Sequence, residues 1–169
     1  MSTTAKRPAV RMFRTHNSLS EQTREKLIET LNQQLADSLD LYSQTKQAHW
    51  NVKGKDFYQL HLLFDEHAEH VEEWIDTIAE RVTALGGSAM GTARMSAANS
   101  RLPEYPTDAV DGMDHVAALV ERWGNYATTS REAIDVADEH NDQDTADLFT
   151  DISRQADMDL WFLEAHLQD

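Results

Sequence analysis

The chain reads as an all-α protein: a four-helix bundle with a long crossover connection carrying a short extra helix. Three observations predict it. Four long segments place apolar residues at the i, i+3/i+4 spacing of one helical face. Six Gly and three Pro among 169 residues are too few for the many tight turns of a small all-β domain. The first and third connections are short and so join antiparallel neighbours, whereas the middle one is long. About twenty extended residues at about 3.3 Å each can run the length of a 30-residue helix, about 45 Å.

The first segment runs from about Ser18 to His49. Ser18 with Glu21 three residues on predicts a capping box, and Ile28, Leu31, Leu35, Leu39 and Tyr42 mark one face. His49 falls on that face, just before the break at Asn51-Val52-Lys53-Gly54. The second segment runs from about Asp56 to Leu85 and stops at Gly86-Gly87. Its stripe is Leu60, Phe64, Val71, Ile75, Ile78 and Val82, joined by Leu63 and Trp74. The crossover follows, and within it Thr92 to Ser100 has the makings of a short helix. The third segment, Thr107 to about Glu139, is marked by Val110, Met113, Ala117, Val120, Ala127 and Ile134. The fourth begins near Asp142, a good N-cap, and runs to Leu167 through Leu148, Ile152, Ala156, Leu160 and Leu163.

Charge divides the chain in two. The formal net charge is -15, yet the first twenty residues hold Lys6, Arg7, Arg11 and Arg14 and no acid. The remainder therefore carries -19, which opposes polyanions and suits a protein that handles cations. Residues 1–18 are expected to be a flexible basic arm and 19–169 a single domain. The arm lacks the apolar segment of a secretory signal, and no apolar run approaches a membrane span. An organellar transit peptide has a similar composition; a retained arm on a cytoplasmic protein is the reading adopted, with no membrane partner. With no Cys, disulfides, iron–sulfur clusters, Cys-ligated zinc and thiol catalysis are excluded. No phosphate loop, nucleophile elbow or H-E-x-x-H motif occurs.

The chemistry concentrates on the second helix. At about 100° per residue, Asp65, Glu69, Glu72, Glu73, Asp76 and Glu80 form an acidic face opposite the apolar stripe, with His61 at its edge. A charged helix face is ordinarily just solvated. Two i, i+4 pairs on this one, His61/Asp65 and Asp76/Glu80, have the stacked geometry that chelates an ion. Asp65 and Asp76 are separated by about 16 Å along the axis, so one helix cannot bring both pairs to one ion. An antiparallel copy across a twofold axis can, and any centre built from both pairs is then shared between subunits. His49 adds a further nitrogen, although a lone His on an apolar face is more often a core residue. Two His and three carboxylates without Cys suit iron, and also zinc or manganese. Trp50, beside His49, is either an electron donor to such a centre or a packed aromatic. His67 and His70 fall away from the acidic face and read as packing or surface residues.

Ala48-His49-Trp50-Asn51-Val52-Lys53-Gly54, His61-x-x-x-Asp65, Asp76-Thr77-Ile78-Ala79-Glu80-Arg81 and Leu85-Gly86-Gly87 closely resemble the Dps family of miniferritins. Asp144-Thr145-Ala146-Asp147 and the segment Leu160 to Leu167 extend the likeness over nearly all of 19–169. The resemblance implies a ferritin-like subunit assembled as a hollow dodecamer. It implies a ferroxidase centre in which His49, His61 and Asp65 of one subunit meet Asp76 and Glu80 of its twofold partner. Fe(II) would be oxidised there, preferentially by hydrogen peroxide, and stored as ferric mineral, protecting against oxidative damage. Zinc would be a substitute ion. Asp142, Asp144 and Asp147 are implied as lining an iron pore. Some members bind DNA through basic tails, so a second expectation is DNA compaction and nucleoid association through Lys6, Arg7, Arg11 and Arg14. A third, blander one is a helical scaffold without metal chemistry.

Overall fold

The computed structural model describes residues 11–168, which form five helices: α1 (Glu21–Asn51), α2 (Phe57–Ala84), α3 (Ala93–Asn99), α4 (Gly112–Glu139) and α5 (Gln143–Glu164). The hairpins α1–α2 and α4–α5 lie against one another through α1 with α4 and α2 with α5, while α3 rests on α1. This is the expected bundle with its long crossover. Among the described residues the sole β-type pairing is an isolated parallel bridge between Lys53 and Asp111, which ties the turn after α1 to the start of α4.

The helix ends show where local chemistry overrode pattern. α1 is capped by Ser20, whose hydroxyl accepts the Thr23 N–H at 3.1 Å, so the capping box expected from Ser18 and Glu21 does not form. α4 starts five residues later than Thr107, because Asp111 and Asp114 make a reciprocal capping box there. The short helix expected between Thr92 and Ser100 forms over Ala93–Asn99 with Thr92 as its cap, and Asp142 caps α5 as expected. α5 ends at Glu164, which leaves Leu167 exposed.

The core is formed by Leu27, Ile28 and Leu31 of α1, Phe64, Val71 and Ile78 of α2, Trp123 and Tyr126 of α4, and Phe149 and Leu163 of α5. Burying each such side chain contributes about 1.5–3 kcal/mol. The face of α4 differs from the expected one. Val116, Leu119, Trp123, Tyr126, Ala133 and Ala137 are buried together with the expected Ala127, while Met113, Val120 and Ile134 lie at the flank and Val110 and Ala117 are exposed. Two adjacent stripes of α4 are apolar, and the one carrying the two large rings faces the core. Trp74 of α2 stacks on Tyr126 (5.7 Å, 4° between planes) and meets Trp123 edge-on.

A polar strap binds the crossover to the bundle. Asp37, buried on α1, accepts from the backbone N–H and guanidinium of Arg101, and Ser100 donates to Asp40. Arg122 of α4 donates to both Gln44 of α1 and the Glu104 carbonyl. The N-terminal segment is docked as well. The Phe13 N–H donates to the Gly86 carbonyl at 2.7 Å, Met12 packs on the core, and Gly86 takes a φ of 87° to make the turn. Arg11 and Arg14 therefore belong to a segment anchored to the body rather than to a free arm, and Arg11 lies over the Phe13 ring. Lys6 and Arg7 lie outside the described residues.

Candidate metal centre

The five-residue turn from Val52 to Asp56, with Gly54 at φ 104°, brings the last turn of α1 against the first turns of α2. There the rings of His49 and His61 stack, centroids 3.8 Å apart and planes 20° apart. Each ring is locked by the other's backbone. His49 Nδ1 donates to the His61 carbonyl at 2.7 Å, and His61 Nδ1 donates to the His49 carbonyl at 2.9 Å. A carbonyl oxygen only accepts, so both rings carry their proton on Nδ1 and leave the Nε2 lone pair free for a metal.

Asp65, one turn beyond His61, sits beside them with His49 Nε2 3.8 Å from its Oδ1. Its present cation is Lys46, whose ammonium lies 2.5 Å from the same oxygen. That hydrogen bond, outweighing partial burial and helped by the charge of the Lys46 ammonium, holds the Asp65 carboxyl below the usual carboxylate range. Among the described residues of this one chain, no three His, Asp or Glu side chains are already gathered to hold a metal. The chain presents an open half-site of two imidazoles and one carboxylate, with Lys46 bound to that carboxylate.

Asp76 and Glu80 are exposed further along α2, apart from the histidines in this chain, as their spacing required. Trp50 is 66% exposed beside His49, unpacked within its own chain. Phe57, Tyr58 and Leu62 are exposed large apolar residues of the same α2 turns, and Phe57 lies tilted on the His61 ring at 5.1 Å. The three acids expected at a pore separate. Asp142 is buried, takes a two-pronged contact from Arg81 at 2.8 and 2.9 Å, and accepts from Thr145. Burial raises its pKa, but the bonds from Thr145 and Arg81 outweigh burial and leave it below the usual range. Its visible role is structural. Asp144 is exposed with one oxygen 3.9 Å from the Arg81 guanidinium, and Asp147 is exposed as well.

Two partners were missed in the sequence. Lys46 lies one turn before His49, a spacing that places it on the site's face, but a lysine carries no metal signature. Asp159 of α5 takes the Nδ1 proton of His70 at 2.9 Å, and it was hidden within an apolar stripe.

A ferritin-like domain model matches residues 28–169. A protein of Agrobacterium fabrum, named DNA protection during starvation protein, is 44% identical over 160 residues, 95% of this chain and 99% of the relative. DpsC from Streptomyces coelicolor superposes with a TM-score of 0.89 at 34% identity, covering 94% of this chain and 92% of that one. A Dps protein from Vibrio cholerae, described as a member of a superfamily of ferritin-like diiron-carboxylate proteins, gives 0.86 at 29% identity, covering 94% and 99%. With the domain model spanning most of the chain and a relative of this likeness matched almost end to end, the chain belongs to the Dps family of ferritin-like proteins.

Proposed function

We propose that this protein is a ferroxidase that oxidises Fe(II) and stores the ferric product, protecting against oxidative damage. Membership of a ferritin-like family supports iron handling. The observation that carries the reading is the reciprocal lock of His49 and His61, which aims two neutral Nε2 atoms beside Asp65. Such a lock prepares ligands before any ion arrives and costs no ring ordering on binding. The structural-scaffold alternative leaves it without purpose.

The centre is completed by a second copy. An antiparallel α2 across a twofold axis brings Asp76 and Glu80 to the half-site, and the exposed Phe57, Tyr58 and Leu62 give that contact apolar area. A closed assembly of twelve subunits then holds the mineral. Hydrogen peroxide is the preferred oxidant: two Fe(II) give up one electron each, the O–O bond breaks, and two protons complete two waters. Trp50 stands ready to supply a single electron when only one iron is present. Zinc, favoured by the same two imidazoles, blocks the reaction as a substitute ion. Asp144 and Asp147 attract Fe(II) toward the entrance.

Stopped-flow oxidation of Fe(II) by peroxide tests the assignment. His61→Gly with Asp65→Ala is expected to abolish the fast phase. Oxidation as rapid as in the parent protein sinks it.

A second reading, DNA binding, is favoured by the four cations segregated in residues 1–20. Copies of the arm repeated on a shell add weak phosphate contacts. A gel shift at low salt should then be lost on deleting residues 1–10. No retardation by the full chain ends that reading.

A further inference from the structure

The seam between α2 and α5 holds another histidine–carboxylate cluster, separate from the His49–His61 centre. The side chains of His67 and Asp159 are 1% and 2% exposed, and that of His70 is 28% exposed. Asp159 Oδ2 accepts the Nδ1 proton of His70 at 2.9 Å, and Oδ1 accepts from Gln155 at 2.9 Å. His67 Nε2 lies 3.7 Å from Oδ1, too far for a hydrogen bond, and neither of its ring nitrogens has any partner. Trp123 closes one side of the His67 ring edge-on at 5.3 Å. An orphaned buried polar group costs about 1–3 kcal/mol, and a leucine would fill this apolar position without that cost. Burial, aided by the nearby charges of His70 and His166, drives the His67 pKa down to about 3, so its lone pair is available throughout the neutral range.

We propose that His67, His70 and Asp159 form a divalent transition-metal site within each subunit, taking ions of the zinc and ferrous class. Two imidazoles and one carboxylate are the donor set such ions prefer. His67 Nε2 and Asp159 Oδ1 stand 3.7 Å apart. Two ligands at tetrahedral angle on bonds of about 2 Å are separated by about 3.4 Å. No three ligands are yet gathered on one point. Closure needs His70 to shift its proton from Nδ1 to Nε2 through solvent, and to turn toward His67. The ring centroids, now 6.4 Å apart, then approach to about 5 Å. The part-exposed His70 gives the entry route, with Glu66 close enough to act on Asp159. Ligation satisfies the nitrogen of His67 that faces Asp159.

The test silences the first centre with His61→Gly and Asp65→Ala, so that it stands or falls independently of the ferroxidase reading. Titrating Co(II) into this variant should give visible d–d absorption saturating at one equivalent per chain. Adding His70→Gln should remove that absorption, and its part-exposed position spares the fold. Zn(II) should raise the melting temperature of the silenced protein by several degrees, and not after adding His67→Leu. Absence of Co(II) absorption, or its survival with His70→Gln, overturns the proposal. Equal Zn(II) stabilisation with and without His67→Leu does so too.

Discussion

Asp142 separates a structural acid from the exposed acids beside it. Replacing it with Ala removes the N-cap of α5, which contributes about 1 kcal/mol. It also strips Arg81, whose side chain is 17% exposed, of its two-pronged partner. Breaking a fully buried pair costs about 3–5 kcal/mol, and partial exposure of Arg81 reduces that to about 1–2. The sum is about 2–3 kcal/mol, and a chain of this length loses about 2–4 °C per kcal/mol. Asp142→Ala should therefore melt about 4–12 °C below the parent by circular dichroism at pH 7. Asp144→Ala and Asp147→Ala should melt within about 2 °C of it, since exposed substitutions usually cost less than 0.5 kcal/mol. The pH dependence carries a definite sign. The folded pKa of Asp142 is depressed, so its stabilisation is complete above the unfolded value near 4 and fades as pH falls through the folded one. The gap between parent and variant should thus narrow only below about pH 4. An Asp142→Ala protein melting with the parent at pH 7, or a gap that widens in acid, refutes the reasoning.

Lys46→Gln frees Asp65 of its resident ammonium and should tighten Fe(II) binding about two- to fivefold, the range of a part-exposed ion pair. Half-saturation in anaerobic Fe(II) titration measures it. The same change should raise the Asp65 pKa, moving the acid limb of the oxidation rate to higher pH, because Lys46 is the chief cause of its lowering. Gly86→Ala puts a Cβ 2.8 Å from the Phe13 carbonyl at a φ of 87°, costing about 1–3 kcal/mol. Trypsin should then cut at Arg11 and Arg14 faster than in the parent. If Asp144 and Asp147 guide iron inward, replacing both with Asn should slow mineral growth while leaving the first turnover of bound Fe(II) unchanged.

Period was far easier to read than phase. The 3.6-residue repeat announces all four long helices, and the unequal connections announce their order. In α4 the choice between Val110-Met113-Ala117 and Val116-Leu119-Trp123 could not be made from one strand of text. Both rows are apolar, and only the volume of Trp123 and Tyr126 against α2 decides. For the candidate centre, residue types and one-turn spacing singled out His61 with Asp65. The lock between His49 and His61 was invisible, since it joins side chain to backbone across a turn whose geometry no motif specifies. His67 reads as a packing residue and is buried as one, but its carboxylate neighbour was invisible for a related reason. Its partner Asp159 lies far away in sequence on α5, and only the packing of the two hairpins brings them to one seam.

The strap that holds the crossover has a bearing on how the bundle selects its topology. Apolar faces alone discriminate poorly between a bundle and its reverse-wound counterpart, because greasy surfaces accept many neighbours. Arg122, buried on α4, is fully satisfied when α1 offers Gln44 on one side and the strap offers the Glu104 carbonyl on the other. Asp37, equally buried, needs Arg101 from the same strap. In a wrongly ordered bundle Arg122 would keep only Ala118 and Glu121 of its own helix, and Asp37 only Gln33, leaving two buried charges short of partners. The crossover thus acts as a lock that closes only when both hairpins are seated in the right order. That order sets which face of α2, with its histidine and its acids, is turned outward.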